Sequence, residues 1–196
     1  MRRPHPVVLV AALFLPVLAG CSQTTTTVHT TTNETTSFVA ADRLFTMEFP
    51  TGWHVLTAEA RQVNHWRFTP EEVPDAMAES PSEISVAWNP TDDDLDLNAS
   101  SLAEIARYVR NAIIETEAEK GNRWRGESPV AGEIGGRETS RVDMVGEDAA
   151  GIAARVAIVV FRHERGALVV SFGCPESEVE TLLPLLESCA ASVRMP

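Results

Sequence analysis

Basic residues are scarce in this chain. Of 196 residues, 16 are Lys or Arg and 28 are Asp or Glu, a formal net charge of −12. Such a surface repels phosphate backbones and anionic headgroups, so nucleic-acid binding and membrane attachment through a basic face are set aside. Long apolar runs are also missing. The longest uncharged one, Val7 to Leu18, is about a dozen residues, short of the roughly twenty that span a bilayer as a helix. No histidine lies three or four residues from another His or Cys, which leaves no local zinc motif among His29, His54, His65 and His163. No G-x-S-x-G elbow occurs. Cysteine appears only three times, and its positions organise the rest of the reading.

The first cysteine follows a positively charged start (Arg2, Arg3), the apolar run, and the small residues Ala19 and Gly20. Residues 1–20 have the order of a cleaved export signal. Leu18-Ala19-Gly20-Cys21 matches a bacterial lipobox, in which the cysteine sulfur is diacylated and becomes the mature first residue. Cys21 is thus the expected lipidation site, and two acyl chains anchor stably where one holds only reversibly. Losing Arg2 and Arg3 with the signal leaves 14 basic against 28 acidic residues. The expected location is the cell envelope. With Ser22 after the cysteine, that means the outer membrane facing the periplasm if there are two membranes, otherwise the outer face of the cytoplasmic membrane.

Residues 21–38 are then read as the lipidated cysteine and a Thr-rich flexible tether. "SQTTTTVHTTTNETTS" buries too little apolar surface to offset the entropy of ordering. Residues 39–196 are read as one domain. "LFTMEFPTGWHVL" predicts strand, tight turn, strand; "VNHWRF" and "EISVAWN" predict two more strands. Ser101 and Glu104 form a capping-box pattern ahead of apolar residues at helical spacing up to Lys120-Gly121. Gly135-Gly136 and Arg165-Gly166 mark turns between strands, and the apolar run 152–161 reads as a central strand covered on both faces. A last helix runs from Glu176 to Val193, with Pro184 expected to kink or divide it. The order predicts an α+β fold: an antiparallel twisted sheet with helices packed on its faces.

"FTMEFPTGW" (45–53), the mid-chain helix, "EIGGRE" (133–138) and the closing "ALVVSFGCPESEVETLLPLLESCAASVRM" resemble the PsbP-like and DcrB-like group of bacterial envelope proteins. The resemblance spans most of residues 40–195. It implies a PsbP-like α/β/α sandwich, frequent lipoprotein anchoring, and a role in binding or assembly. It carries over no catalytic residue.

Candidate chemistry is sparse. Asp92, Asp94 and Asp96 echo a calcium loop, but Leu97 stands where that loop needs glycine and Glu104 falls one residue late. A solvated acidic loop before a helix N-terminus accounts for them equally, and no metal site is inferred. Cys174 sits at a strand end before a helix, without a positioned base. Cys174 and Cys189 are the two thiols left for a disulfide in an oxidising compartment. Helix geometry keeps them apart unless the chain breaks sharply at Pro184. "GNRWRGE" sets Trp124 between Arg123 and Arg125 in what reads as a loop, the composition of a partner-binding hot spot; an aromatic capping the core edge is the other reading. The expected function is a non-catalytic, lipid-anchored binding or assembly module with an envelope protein partner and no cofactor beyond the lipid on Cys21. The alternative is a small-molecule or calcium-binding accessory protein.

Overall fold

Period-two alternation of apolar residues, with Phe45, Met47 and Phe49 on one side of the chain and Glu48 on the other, recurs in most extended segments and sets two faces for every strand. The computed structural model describes residues 34–40, 43–57, 65–72, 80, 82–90, 100–147, 151–164 and 166–196. Leu18, Ala19, Gly20 and Cys21, most of the Thr-rich segment, and Asp92, Asp94 and Asp96 lie outside the described residues.

Two antiparallel sheets are present among them. The small one pairs β1 (Thr35–Val39) with β2 (Thr46–Pro50). The large one contains β3 (His54–Thr57), β4 (His65–Thr69), β5 (Glu83–Pro90), β6 (Arg123–Gly126), β7 (Val130–Ile134), β8 (Arg137–Glu147), β9 (Ala153–His163) and β10 (Gly166–Pro175). Its order is β3-β4-β5-β10-β9-β8-β6, with β7 pairing β8 alongside β6. Helix α1 (Leu102–Glu119) covers one face and α2 (Val179–Ala191) the other.

The faces follow from register. On the α1 side Val142, Met144, Val156, Ile158, Val160 and Val169 meet Leu102, Ile105, Val109 and Ile113. On the α2 side Phe68, Ile84, Val86, Val159, Leu168 and Phe172 meet Leu186, Cys189 and Ala190, with Phe45, Met47 and Phe49 closing the layer. This is the expected α/β/α arrangement. The β9 segment is central and covered on both sides, as its apolar run predicts.

Helix α1 starts where its capping box puts it: Glu104 N–H donates to Ser101 Oγ at 3.2 Å, and Ser101 N–H donates to Glu104 Oε2 at 2.7 Å. The Gly135-Gly136 turn has φ of 60° and 77°, a conformation that only glycine adopts without strain.

Two expectations need correction, and a third gains a detail. Thr35 to Phe38, assigned to the tether, are strand: threonine is β-branched and suits a pleated ladder, and Phe38 packs edge-on against Phe68 at 5.2 Å. The strand, tight turn and strand expected at 45–55 are present, and the turn separates two sheets: β2 joins the small sheet and β3 pairs β4. Pro184 does not divide the last helix, which continues through it after a short 3-10 turn at Glu176–Glu178. Pro184 is exposed, so its ring faces solvent and not the sheet.

Candidate functional site

On the α2 side, β8 presents Thr139, Arg141, Asp143 and Val145, and α2 does not cover this end of the sheet. A groove of about 610 Å³ results, lined by Arg125, Glu127, Arg141, Asp143, Arg155 and Leu183 among others. Arg141 and Asp143 are shared with a second cavity of about 290 Å³ that continues past Val130, Ile134, Val159, Phe172 and Ala190. The groove therefore runs along α2, with the helix as one wall and β6–β7 as the other.

Register brings the cations together. Val145 on β8 pairs Arg125 of β6 on one side and Arg155 of β9 on the other, which sets the two arginine Cα atoms roughly 10 Å apart at ordinary strand spacing. Arg141 lies two rungs further along the same face, opposite Val130. Its guanidinium donates from Nε and Nη2 to Asp143 and from Nη2 to Glu187 of α2 at 2.7 Å, and it sits 5.9 Å from the Phe172 ring centroid. These contacts hold Arg141 protonated, raising its pKa above the ordinary arginine value. Arg155 donates from Nε and Nη2 to Glu176, both at 2.8 Å. Arg125 is exposed and makes no hydrogen bond or ion pair among the described residues.

Trp124 does not stand in a loop. It is half-buried on β6, facing α1, with its ring over Gly146 so closely that a Cβ there would lie 2.0 Å from Cδ2. It seals the edge of the core, and its indole N–H is buried with no acceptor among the described residues. Arg123 faces the other way and pairs with Glu147 at 2.7 Å. Of the expected trio, Arg125 alone lines the groove.

The bridge considered for Cys174 and Cys189 is absent: both thiols are free and buried. Helix α2 runs unbroken between them, with Val179 to Cys189 alone spanning about 15 Å. Burial pushes the Cys174 thiol up to about 11 and Cys189 up to about 12, helped by Glu178 and Glu176 for the first and by Glu48 for the second. That is opposite to the low pKa a nucleophilic thiolate needs.

A second polar cluster escaped the sequence reading. On the α1-side face, where the sheet extends to β5 and β4, His65 Nε2 lies 2.5 Å from Ser85 Oγ, and Arg67 pairs with Glu83. Alternation in "HWRFT" and "EIS" already places these four on one face, which is the signal that could have found them. Ser85 is 0% exposed, so a Ser–His pairing here has no access for a substrate. Burial, then Arg67, lowers His65 to about 4 and keeps it neutral; burial raises Glu83 to about 7 against the pull of Arg67.

No family model matches the sequence, and no curated protein matches it. Solved structures do. The solution structure of cyanobacterial PsbP (CyanoP) from Synechocystis sp. PCC 6803 superposes with a TM-score of 0.64 at 12% identity, covering 91% of this chain and 99% of that one. LpqN, involved in cell envelope biogenesis of Mycobacterium tuberculosis, gives 0.48 at 13% identity over 83% of this chain and 91% of that one. A Pseudomonas aeruginosa protein of unknown function, PA94, gives 0.45 at 14% identity over 83% and 97%. The last two superpose too loosely to argue from, and identities this low speak to fold alone. With antiparallel sheets between two helices and the CyanoP superposition, the chain has the α+β PsbP-like fold.

Proposed function

We propose that this chain is a non-catalytic envelope module, lipid-anchored at Cys21, that binds a partner protein through the groove between α2 and β6–β8. The observation that carries the reading is the groove itself: an open channel lined by guanidinium, carboxylate and apolar side chains on an otherwise covered sheet face. The nucleophiles in the described residues that could suggest catalysis support the same reading. Cys174 and Ser85 are buried, and the Cys174 thiol is pushed away from the thiolate. On this reading Arg125 is a contact residue and Trp124 its structural support. The lipid fixes the module to the envelope, and the residues between Cys21 and Thr35 set its reach.

Two measurements test the reading. Cys21→Ser should abolish fatty-acid labelling and move the chain from the membrane to the soluble fraction; retained label overturns the anchor. In intact cells, a photocrosslinker replacing Val130 in the groove wall, which is 62% exposed, should give one discrete protein adduct. The same probe at Tyr108 on α1, which is 43% exposed, should give none. Adducts from Tyr108 alone, or from neither position, overturn the groove as the binding face.

A further inference from the structure

The second cavity, of about 290 Å³, has its floor on β8, β9 and β10 and its walls on β7 and α2. Val130, Ile134, Val159, Phe172 and Ala190 make the lining largely apolar. Among them stands one neutral hydroxyl. Thr139 is 3% exposed, lines the cavity, and its Oγ1 has no hydrogen-bond partner among the described residues. Register sets it opposite Gly132 of β7, where a Cβ would lie 3.2 Å from that oxygen. The glycine leaves the hydroxyl uncovered on that side. A buried hydroxyl without a partner costs stability, and valine would fill the same shape without that cost.

The charges around the cavity narrow the class of ligand. Among the described residues Arg141 is the one guanidinium in the lining, against Glu133, Asp143 and Glu187. It donates to Asp143 and Glu187, and Glu133 is exposed. An anion would meet three carboxylates and a guanidinium already spent, and a cation would have to leave water for apolar walls. A neutral molecule meets neither cost. The volume stands at the small end of ligand pockets. We propose that the cavity binds a small neutral molecule, mostly apolar and of about bicyclic size, whose hydroxyl or carbonyl oxygen bonds to Thr139. Its rings lie over Val159 and Phe172. This site goes beyond the partner reading and does not rest on it, since the Val130 adduct tests that reading separately.

The test titrates naphthalene, 2-naphthol and 2-naphthoate into the detergent-solubilised full chain, with binding read from the methyl resonances of Val130, Ile134 and Val159. Micelles take up the probes, so each affinity is compared between variants at one detergent concentration. Thr139→Val should weaken 2-naphthol by about three- to tenfold, as for one lost neutral hydrogen bond, and leave naphthalene unchanged. Thr139→Ser, which keeps the hydroxyl, should hold 2-naphthol more tightly than Thr139→Val does. Gly132→Val, at an exposed strand position, should block both neutral probes by covering Thr139. 2-Naphthoate should give no shifts. Absence of shifts with both neutral probes, or a 2-naphthol affinity that Thr139→Val leaves unchanged or lowers only as much as that of naphthalene, overturns the proposal. Saturable binding of 2-naphthoate overturns the neutral class.

Discussion

Arg67 and Glu83 bond to each other inside the sheet: Nη2 and Nε of the arginine both donate to one oxygen of the glutamate, at 2.5 and 3.1 Å, with the two side chains 2% and 5% exposed. Such a pair tolerates removal of both partners better than removal of one. Arg67→Met alone strands a buried carboxylate and should cost about 3–5 kcal/mol at pH 8. Much of that loss should return at pH 5, where Glu83 takes up a proton. Arg67→Met with Glu83→Leu should recover most of the stability at both pH values. Urea midpoints check all three.

The same face makes two opposite contributions to pH dependence. Glu83 is raised from 4.5 to about 7 by burial. The folded state therefore holds the extra proton, and this contribution is full below pH 4.5 and lost as pH rises through 7. His65 is lowered from 6.5 to about 4; its contribution is full above pH 6.5 and lost as pH falls through 4. Between about 4.5 and 6.5 the two cancel in part. Glu83→Gln should leave a stability that climbs with pH across that window, and His65→Gln one that declines. Parallel slopes in the two variants would contradict the assignment.

Gly146 leaves no room for a side chain. A Cβ would lie 2.0 to 2.4 Å from the Trp124 ring, so Gly146→Ala should destabilise by about 1–3 kcal/mol, as overpacking does. Adding Trp124→Leu should restore part of the loss in a double-mutant cycle. If Trp124 were a free surface anchor, the two changes would simply add.

Both domain thiols should be inert in the folded protein. With pKa values of about 11 and about 12 and no solvent access, Cys174 and Cys189 should react with iodoacetamide at pH 8 more than about 100-fold slower than an ordinary cysteine. Both should alkylate in guanidinium without prior reduction, read by intact mass.

Pro184 interrupts the hydrogen-bond ladder of α2 from its exposed side. Pro184→Ala restores the N–H and helix propensity, and should stabilise by about 1–3 kcal/mol in urea unfolding.

Elements encoded locally were legible in the sequence. The Ser101–Glu104 box, the Gly135-Gly136 turn and the apolar run of β9 each need only neighbouring residues. What failed depended on distant partners. Thr35 to Phe38 read as tether because their composition is polar; they form a strand because β2 offers a ladder and Phe68 a packing site. "GNRWRGE" read as loop because its partner strand begins at Arg137 and the space for its tryptophan is a glycine twenty-two residues later. The groove was illegible for a related reason. Arg125, Arg141 and Arg155 are spread over thirty-one residues and meet only through the register of three strands, while the cue the sequence offered, Arg125 beside Trp124, named one groove residue, and of the two readings of Trp124 the core-edge one holds.

The small sheet sets how the domain bears load. Strand β1 is held by five residue pairs to β2, and β2 is tied in turn to the C-terminal segment by paired backbone bonds between Thr46 and Arg194, at 2.8 and 2.9 Å. Any pull delivered through the residues before Thr35 reaches this ladder before it reaches the large sheet. Drawn along the strand it stresses all five pairs in parallel; drawn across, it opens them one at a time. The yield of this ladder under such a pull is thus set by the direction of the force rather than by the stability of the core.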